Sequence, residues 1–151
     1  MRWVNRGLAR PVAAAAFVAG LTPNAVTALS ASSSLAGLAG LLFLPRSIAA
    51  GVLVALLLAL GFVLDSADGQ LARLRGGGSG AGEWLDHVVD AARTCLVHLS
   101  VTVALLLSGA SLAWAVVGLA FCTIAVTQFF SQMWSQIHQP FVKATLEWQT
   151  V

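Results

Sequence analysis

Apolar positions gather into four long runs, separated by short polar or glycine-containing breaks. They extend from Ala25 to Phe43, Ile48 to Leu64, Trp84 to Leu107 and Leu112 to Phe130. Each is close to the roughly 20 residues a helix needs to cross the hydrocarbon of a bilayer. The breaks "LPRS" at 44–47 and "SGAS" at 108–111 are tight, which makes the flanking helices antiparallel neighbours. Between the second and third runs, "RLRGGGSGAG" at 73–82 reads as a flexible loop. "LTPNAVT" opens the first span, with Thr22 as the helix cap and Pro23 at the first helical position. Ser33 with Gly37, and Ala36 with Gly40, form small-xxx-small pairs that favour close helix packing.

The two ends follow a different pattern. "MRWVNRGLARPVAAAAFVAG" has the basic start and short apolar run of a signal peptide. Yet Arg2, Arg6 and Arg10 recur every four residues with Trp3 nearby, which better suits a helix lying in the membrane interface and broken at Pro11. From Ser131 onward, Trp134, Pro140, Trp148 and several polar residues suggest an interfacial or cytoplasmic tail. The expected fold class is all-α, an integral membrane helical bundle forming one domain over 1–151. It comprises an interfacial helix (1–20), a bundle of about four transmembrane helices (22–130) and the tail (131–151).

Composition agrees with lipid as the solvent. Only 9% of the 151 residues are charged and 58% are hydrophobic, whereas a soluble domain carries about 25% charged residues. A net charge of +2 without a basic, aromatic-interleaved run argues against a nucleic-acid partner. Cys95 and Cys122 sit singly in apolar runs and read as small packing residues. With the amino terminus in the cytoplasm, Arg2, Arg6, Arg10, Arg73, Arg75 and Lys143 all fall inside, and among the loop residues only Arg46 falls outside. The positive-inside rule then puts the acidic stretch at 64–93 at the cytoplasmic face.

Five of the six acidic residues lie between positions 64 and 93: Asp65, Asp68, Glu83, Asp86 and Asp90. One ionised aspartate at the centre of a membrane helix costs about 2.5–3.5 kcal/mol, so four cost roughly 10 kcal/mol before mutual repulsion. Such a group persists near the aqueous edge with a cation bound to it. At 100° per residue, Asp65, Asp68, Gly69 and Ala72 share one helical face, and Gly82, Asp86 and Asp90 share another. Hard oxygen ligands select Mg²⁺ or Mn²⁺. Four carboxylates suffice for two ions at roughly 3.5–4 Å, the arrangement that clamps phosphoryl groups. Gly69, Ala72 and Gly82 leave the acidic faces open to a bulky ligand, and Arg73 is placed to grip phosphate. Arg75 reads as an ordinary anchor, and Glu83 as a solvent-facing acid at a helix start. His87 and His98 read as packing or hydrogen-bonding groups, and His138 as a surface residue. Arg93 suits either an anionic head group or neutralisation of the acids.

Written out, the stretch is Asp65-x2-Asp68-Gly69-x2-Ala72-Arg73-x8-Gly82-x3-Asp86-x3-Asp90, eight constrained positions over twenty-six residues. It resembles the signature of the CDP-alcohol phosphotransferases, the membrane enzymes that build phospholipid head groups. The resemblance implies that an alcohol attacks the β-phosphorus of a CDP-linked donor, usually CDP-diacylglycerol, and releases CMP. Carried over position by position, it implies that Asp65, Asp68 and Asp86 hold the metals. Asp90 would complete that site and serve as general base, while Gly69 and Arg73 contact the CDP moiety. Ser79 matches a loop position used for the nucleotide and its phosphates. "TPNAVT" is similar to the segment lining the nucleotide pocket, which brings in Asn24 and Thr27. A homodimer is expected on the resemblance alone. The family is built on six helices and four spans are expected here, so on the resemblance the last two are either missing or cut off after Val151. Inositol phosphate, glycerol phosphate, serine and choline-type reactions share the signature, and the lipid can stand on either side of the reaction. The rival readings are a divalent-cation transporter and an inactive partner subunit, since intramembrane carboxylates mark ion pathways as well as active sites.

Overall fold

Local capping chemistry sets the helix starts. The Thr22 side chain accepts a hydrogen bond from the Ala25 N–H, with Pro23 following at the first helical position. Ser47 and Ser79 do the same for the N–H groups of Ala50 and Gly82. Each such cap supplies an acceptor for an N–H that the first helical turn leaves unsatisfied, an effect of about 1 kcal/mol. In the computed structural model, which describes the backbone of residues 2–148 and the side chains of residues 7–135, five helices result. They are α1 (Arg2–Val18), α2 (Pro23–Phe43), α3 (Ile48–Leu74), α4 (Gly80–Leu107) and α5 (Ala113–Trp148). No strand occurs among the described residues.

α2, α3, α4 and the Ala113–Ser135 part of α5 are long and apolar enough to cross a membrane. Their outward faces are greasy: Phe43, Ile48, Phe62, Trp114 and Phe121 are all exposed. The interior is unusually polar, with Thr27, Ser30, Ser34, Asp68, Ser100 and Thr102 buried. In lipid, helix pairing gains little from hiding apolar surface, so close packing and interhelical hydrogen bonds must hold the bundle. α2 and α3 show both. The hydroxyls of Ser30 and Ser33 donate to the carbonyls of Gly61 and Leu57 at 2.8 Å each, and Gly37 and Gly40 lie against Leu58 and Val54. Ala36 is exposed, so of the two small-residue pairs only Ser33 with Gly37 lies wholly at the contact.

At Gly61 the backbones come closest. A β-carbon there would meet the Ser34 hydroxyl and lie 3.1 Å from the Ser30 carbonyl oxygen and 3.2 Å from the Ser34 nitrogen. Two of those atoms are backbone and cannot step aside. Gly61→Val is therefore expected to destabilise the protein by about 1–3 kcal/mol, the range for an overpacked interior. A lowered midpoint of thermal unfolding in detergent would report it.

Four element boundaries differ from the sequence expectation. α1 runs through Pro11 rather than breaking there. An interior proline costs about 3 kcal/mol, but Ala9, Ala13 and Ala16, on both sides of it, are buried against Val26, Ala67 and Leu71. That packing holds the helix across the missing hydrogen bond. The expected role of Arg2, Trp3 and Arg6 falls outside the described side chains. The second and third apolar runs stop at Leu64 and start at Trp84, yet α3 continues to Leu74 and α4 begins at Gly80. Hydropathy registers the change of surroundings, not the end of the backbone helix. Only residues 75–79 of the expected loop are non-helical. Gly76, at φ +90°, ends α3 with the Gly77 N–H donating to the Ala72 carbonyl, a reversal glycine adopts without steric cost. α5 likewise passes Phe130, because "SQMWSQIHQ" is polar without breaking the backbone helix, and it continues through Pro140 to Trp148.

Among the described residues α3 packs against α1 and α2, α4 packs against α2 and α5, and α5 packs closely on α4 alone. α3 and α4 do not pack closely on each other among the described residues. α2 joins them and leaves a gap between the two acidic helices.

Candidate active site

The gap carries the acids. Asp65 and Asp68 project from α3 and Asp86 from α4, and one carboxylate oxygen of each lies within 4.8 Å of the others. Asp68 stands six residues from the end of α3 and Asp86 six residues from the start of α4, about 9 Å from each helix end at 1.5 Å per residue. The cluster therefore sits toward the loop side of the bundle.

Two unit charges about 4 Å apart interact by about 4 kcal/mol at the effective dielectric of a partly buried site, so three like charges demand compensation. Some is built in. Thr27 on α2 donates its hydroxyl proton to Asp68 Oδ2 at 2.6 Å. Arg93 on α4 places Nη1 2.7 Å from Asp65 Oδ1 and 3.1 Å from Asp90 Oδ1. Its Nη2 donates to Ser30 Oγ at 2.7 Å, and the Ser30 hydroxyl donates in turn to the Gly61 carbonyl. Of the two roles the sequence leaves open for Arg93, these ion pairs match neutralisation of the acids. Asp68 and Asp86 have no ion-pair partner among the described residues. Converging hard oxygens with uncompensated negative charge fit a divalent cation such as Mg²⁺ or Mn²⁺.

Above the acids opens a cleft of about 500 Å³, within the range of small-molecule sites. Asn24, Thr27, Asp68, Gly69, Ala72, Arg73, Ser79, Gly82 and Asp86, all named from the sequence, line it. Asp65 and Asp90 lie outside this lining, joined to one another through Arg93. Asp90 is also outside the three-carboxylate group. Gly69 is open on the cleft side, with the Arg73 guanidinium the nearest neighbour of a β-carbon placed there, at 3.9 Å. At Gly82 a β-carbon would come within 2.9 Å of Asn24 Oδ1, so this glycine lets α2 and α4 converge on the cleft. The start of α4, with Ser79 capping it, aims its free N–H groups toward this end of the bundle and favours anions.

Other lining residues were not read as functional from the sequence: Thr22, Pro23, Arg75, Gly77, Gly78 and Glu83. Arg75, expected to be a simple anchor, borders the cleft and also lies over the Phe17 ring at 5.5 Å, tying α1 to the end of α3. Glu83 is largely exposed, as expected, with His87 Nε2 4.0 Å away. Neither His87 nor His98 lines the cleft. Cys122 Sγ faces the Cys95 carbonyl at 3.9 Å across the α4–α5 contact, in keeping with a packing role. His138 lies outside the described side chains.

The arrangement joins a carboxylate cluster suited to hard cations with a basic, glycine-rich rim suited to phosphates, at the edge of a membrane bundle. Comparison with curated proteins and with solved structures gives no significant match. The sequence profile of CDP-alcohol phosphatidyltransferases, however, matches residues 20–147. Because that match takes in both acidic helices, the turn between them and the cleft they share, the chain belongs to the CDP-alcohol phosphatidyltransferase family, the multi-pass membrane transferases of substituted phosphate groups.

Proposed function

We propose that this protein transfers a phosphatidyl, or a related substituted phosphate, from a CDP-linked donor such as CDP-diacylglycerol to a small alcohol and releases CMP. The observation that carries the reading is the group of Asp65, Asp68 and Asp86 beneath a cleft rimmed by Arg73, Ser79 and Gly82. A transporter would set its acids nearer the middle of the bilayer, where an ion must pass. It would also have no use for a phosphate-sized basic rim.

In this reading the four aspartates hold Mg²⁺ or Mn²⁺, as two ions, with Asp65, Asp68 and Asp86 as the tighter set and Asp90 completing it. The chemistry a bound divalent ion supplies here is charge neutralisation of the diphosphate and of the departing CMP. Arg73 and the N–H groups at the start of α4 orient the donor phosphates. Gly69, Ala72, Gly82, Asn24 and Thr27 shape the nucleotide side. The alcohol oxygen bonds to the β-phosphorus, the bond from that phosphorus to the bridging oxygen breaks, and Asp90 takes the hydroxyl proton. Membrane lipid supplies one substrate sideways, and the polar one arrives from the cytoplasm. The whole chain acts as one membrane domain, within a homodimer.

The test is CMP release by the detergent-purified protein, given CDP-diacylglycerol and a panel of alcohols. Release is expected with one class of alcohol and with Mn²⁺ or Mg²⁺, and its loss on chelation. No release with any alcohol, or release that survives chelation, would overturn the reading.

A further inference from the structure

We infer that Arg93 is a positioning residue for the proton acceptor of the reaction, a role that rests on the proposed function of Asp90. Arg93 lies outside the cleft lining, so it is poorly placed to hold the CDP donor. Its contacts run the other way, into the bundle. Nη1 bridges Asp65 of α3 and Asp90 of α4, and Nη2 is fixed by Ser30 of α2, itself anchored on Gly61 of α3. One planar side chain thus ties three helices at the point where α3 and α4 do not pack on each other.

The rigidity of the guanidinium matters here. Two nitrogens with a fixed angle hold two carboxylates and a hydroxyl at once, which the single ammonium of lysine does not reproduce. Placement comes at the expense of the third nitrogen: Nε is buried without a partner among the described residues. A buried donor left unsatisfied is costly, so the geometry favours position over stability. Asp65 is shared between this bridge and the carboxylate group suited to a divalent ion. Arg93 therefore sets the orientation of Asp90 and also opposes cation binding at Asp65.

Those two effects have opposite signs, and the test uses both. Arg93→Met, Arg93→Lys and Ser30→Ala are compared with the parent protein in detergent. The measurements are CMP-release kinetics and Mn²⁺ affinity from the electron paramagnetic resonance of free Mn²⁺. For Arg93→Met, kcat is expected to fall ~10–100-fold, the scale of a misplaced reacting group. KM for the CDP donor should stay within about threefold, as expected for a group acting only in the transition state. Mn²⁺ affinity should rise by roughly threefold or more as the opposing charge is removed. Arg93→Lys should recover part of kcat. Ser30→Ala keeps the charge, so it should lower kcat with Mn²⁺ affinity unchanged. A kcat for Arg93→Met within about twofold of the parent would overturn the inference. A joint fall of kcat and Mn²⁺ affinity would equally do so, since that is the mark of a merely structural residue. If the parent protein releases no CMP, the functional reading fails instead. The Mn²⁺ measurement then still decides whether Arg93 opposes the cation.

Discussion

Exchanging Asp90 for asparagine is expected to cut metal-dependent CMP release by at least ~10²-fold, about 2.7 kcal/mol in the barrier. Asparagine keeps the size of the side chain and can still accept a hydrogen bond from Arg93. What it loses is the capacity to take the hydroxyl proton. Asp90 lies outside the group formed by Asp65, Asp68 and Asp86, so the variant should still bind Mn²⁺ at that group. Burst-free CMP kinetics beside a Mn²⁺ titration separates the two effects. Release at the parent rate with asparagine in place would remove Asp90 from the mechanism.

A comparably large effect is expected at Asp86, on binding before catalysis. Asp86 has no ion-pair partner among the described residues, so its charge is available to a bound cation. Even partners that merely orient a metal ligand are worth 10–100-fold in affinity, so Asp86→Asn should weaken Mn²⁺ binding by ~10²-fold or more. A cation present at 100 times its dissociation constant stabilises the parent by about 2.7 kcal/mol, and the same concentration stabilises the variant by about 0.4 kcal/mol. Without metal the order should reverse. Removing one of three like charges relieves repulsion, so the metal-free variant should unfold at a higher temperature than the metal-free parent. Thermal unfolding with and without Mn²⁺ reads both signs. An undiminished Mn²⁺ shift in Asp86→Asn would show that the ion is held elsewhere.

Much of this site is legible from local chemistry. Thr22 followed by Pro23 marks a helix start wherever it folds, and the three- and four-residue spacings of Asp65, Asp68 and Gly69, or of Gly82, Asp86 and Asp90, fix a common face within each helix. Asp68, Gly69, Gly82 and Asp86 accordingly line one cleft, while Asp65 and Asp90 stand below it on the same faces. Partners across helices are not written in a helical wheel. Arg93 shows its proximity to Asp90 through an i,i+3 spacing, but its reach to Asp65 and Ser30 depends on where α2 and α3 stand. Ser30 reads as one more small residue in a serine-rich run. Helix ends escape hydropathy for another reason: at Leu64 and Phe130 the residues become polar while the backbone remains helical. Pro11 is the converse, a local breaker overruled by alanines packed on both sides of it.

Among the described residues α5 packs closely on α4 only, and the aspartates, the guanidinium bridge and the phosphate-facing turn all belong to the segments before it. The chain beyond Ser108 can accordingly drift in sequence, or take on new neighbours in the bilayer, while the reacting groups keep their places. Diversity among descendants of such a scaffold should accumulate at that edge first, and the acid-bearing half should be the last part to change.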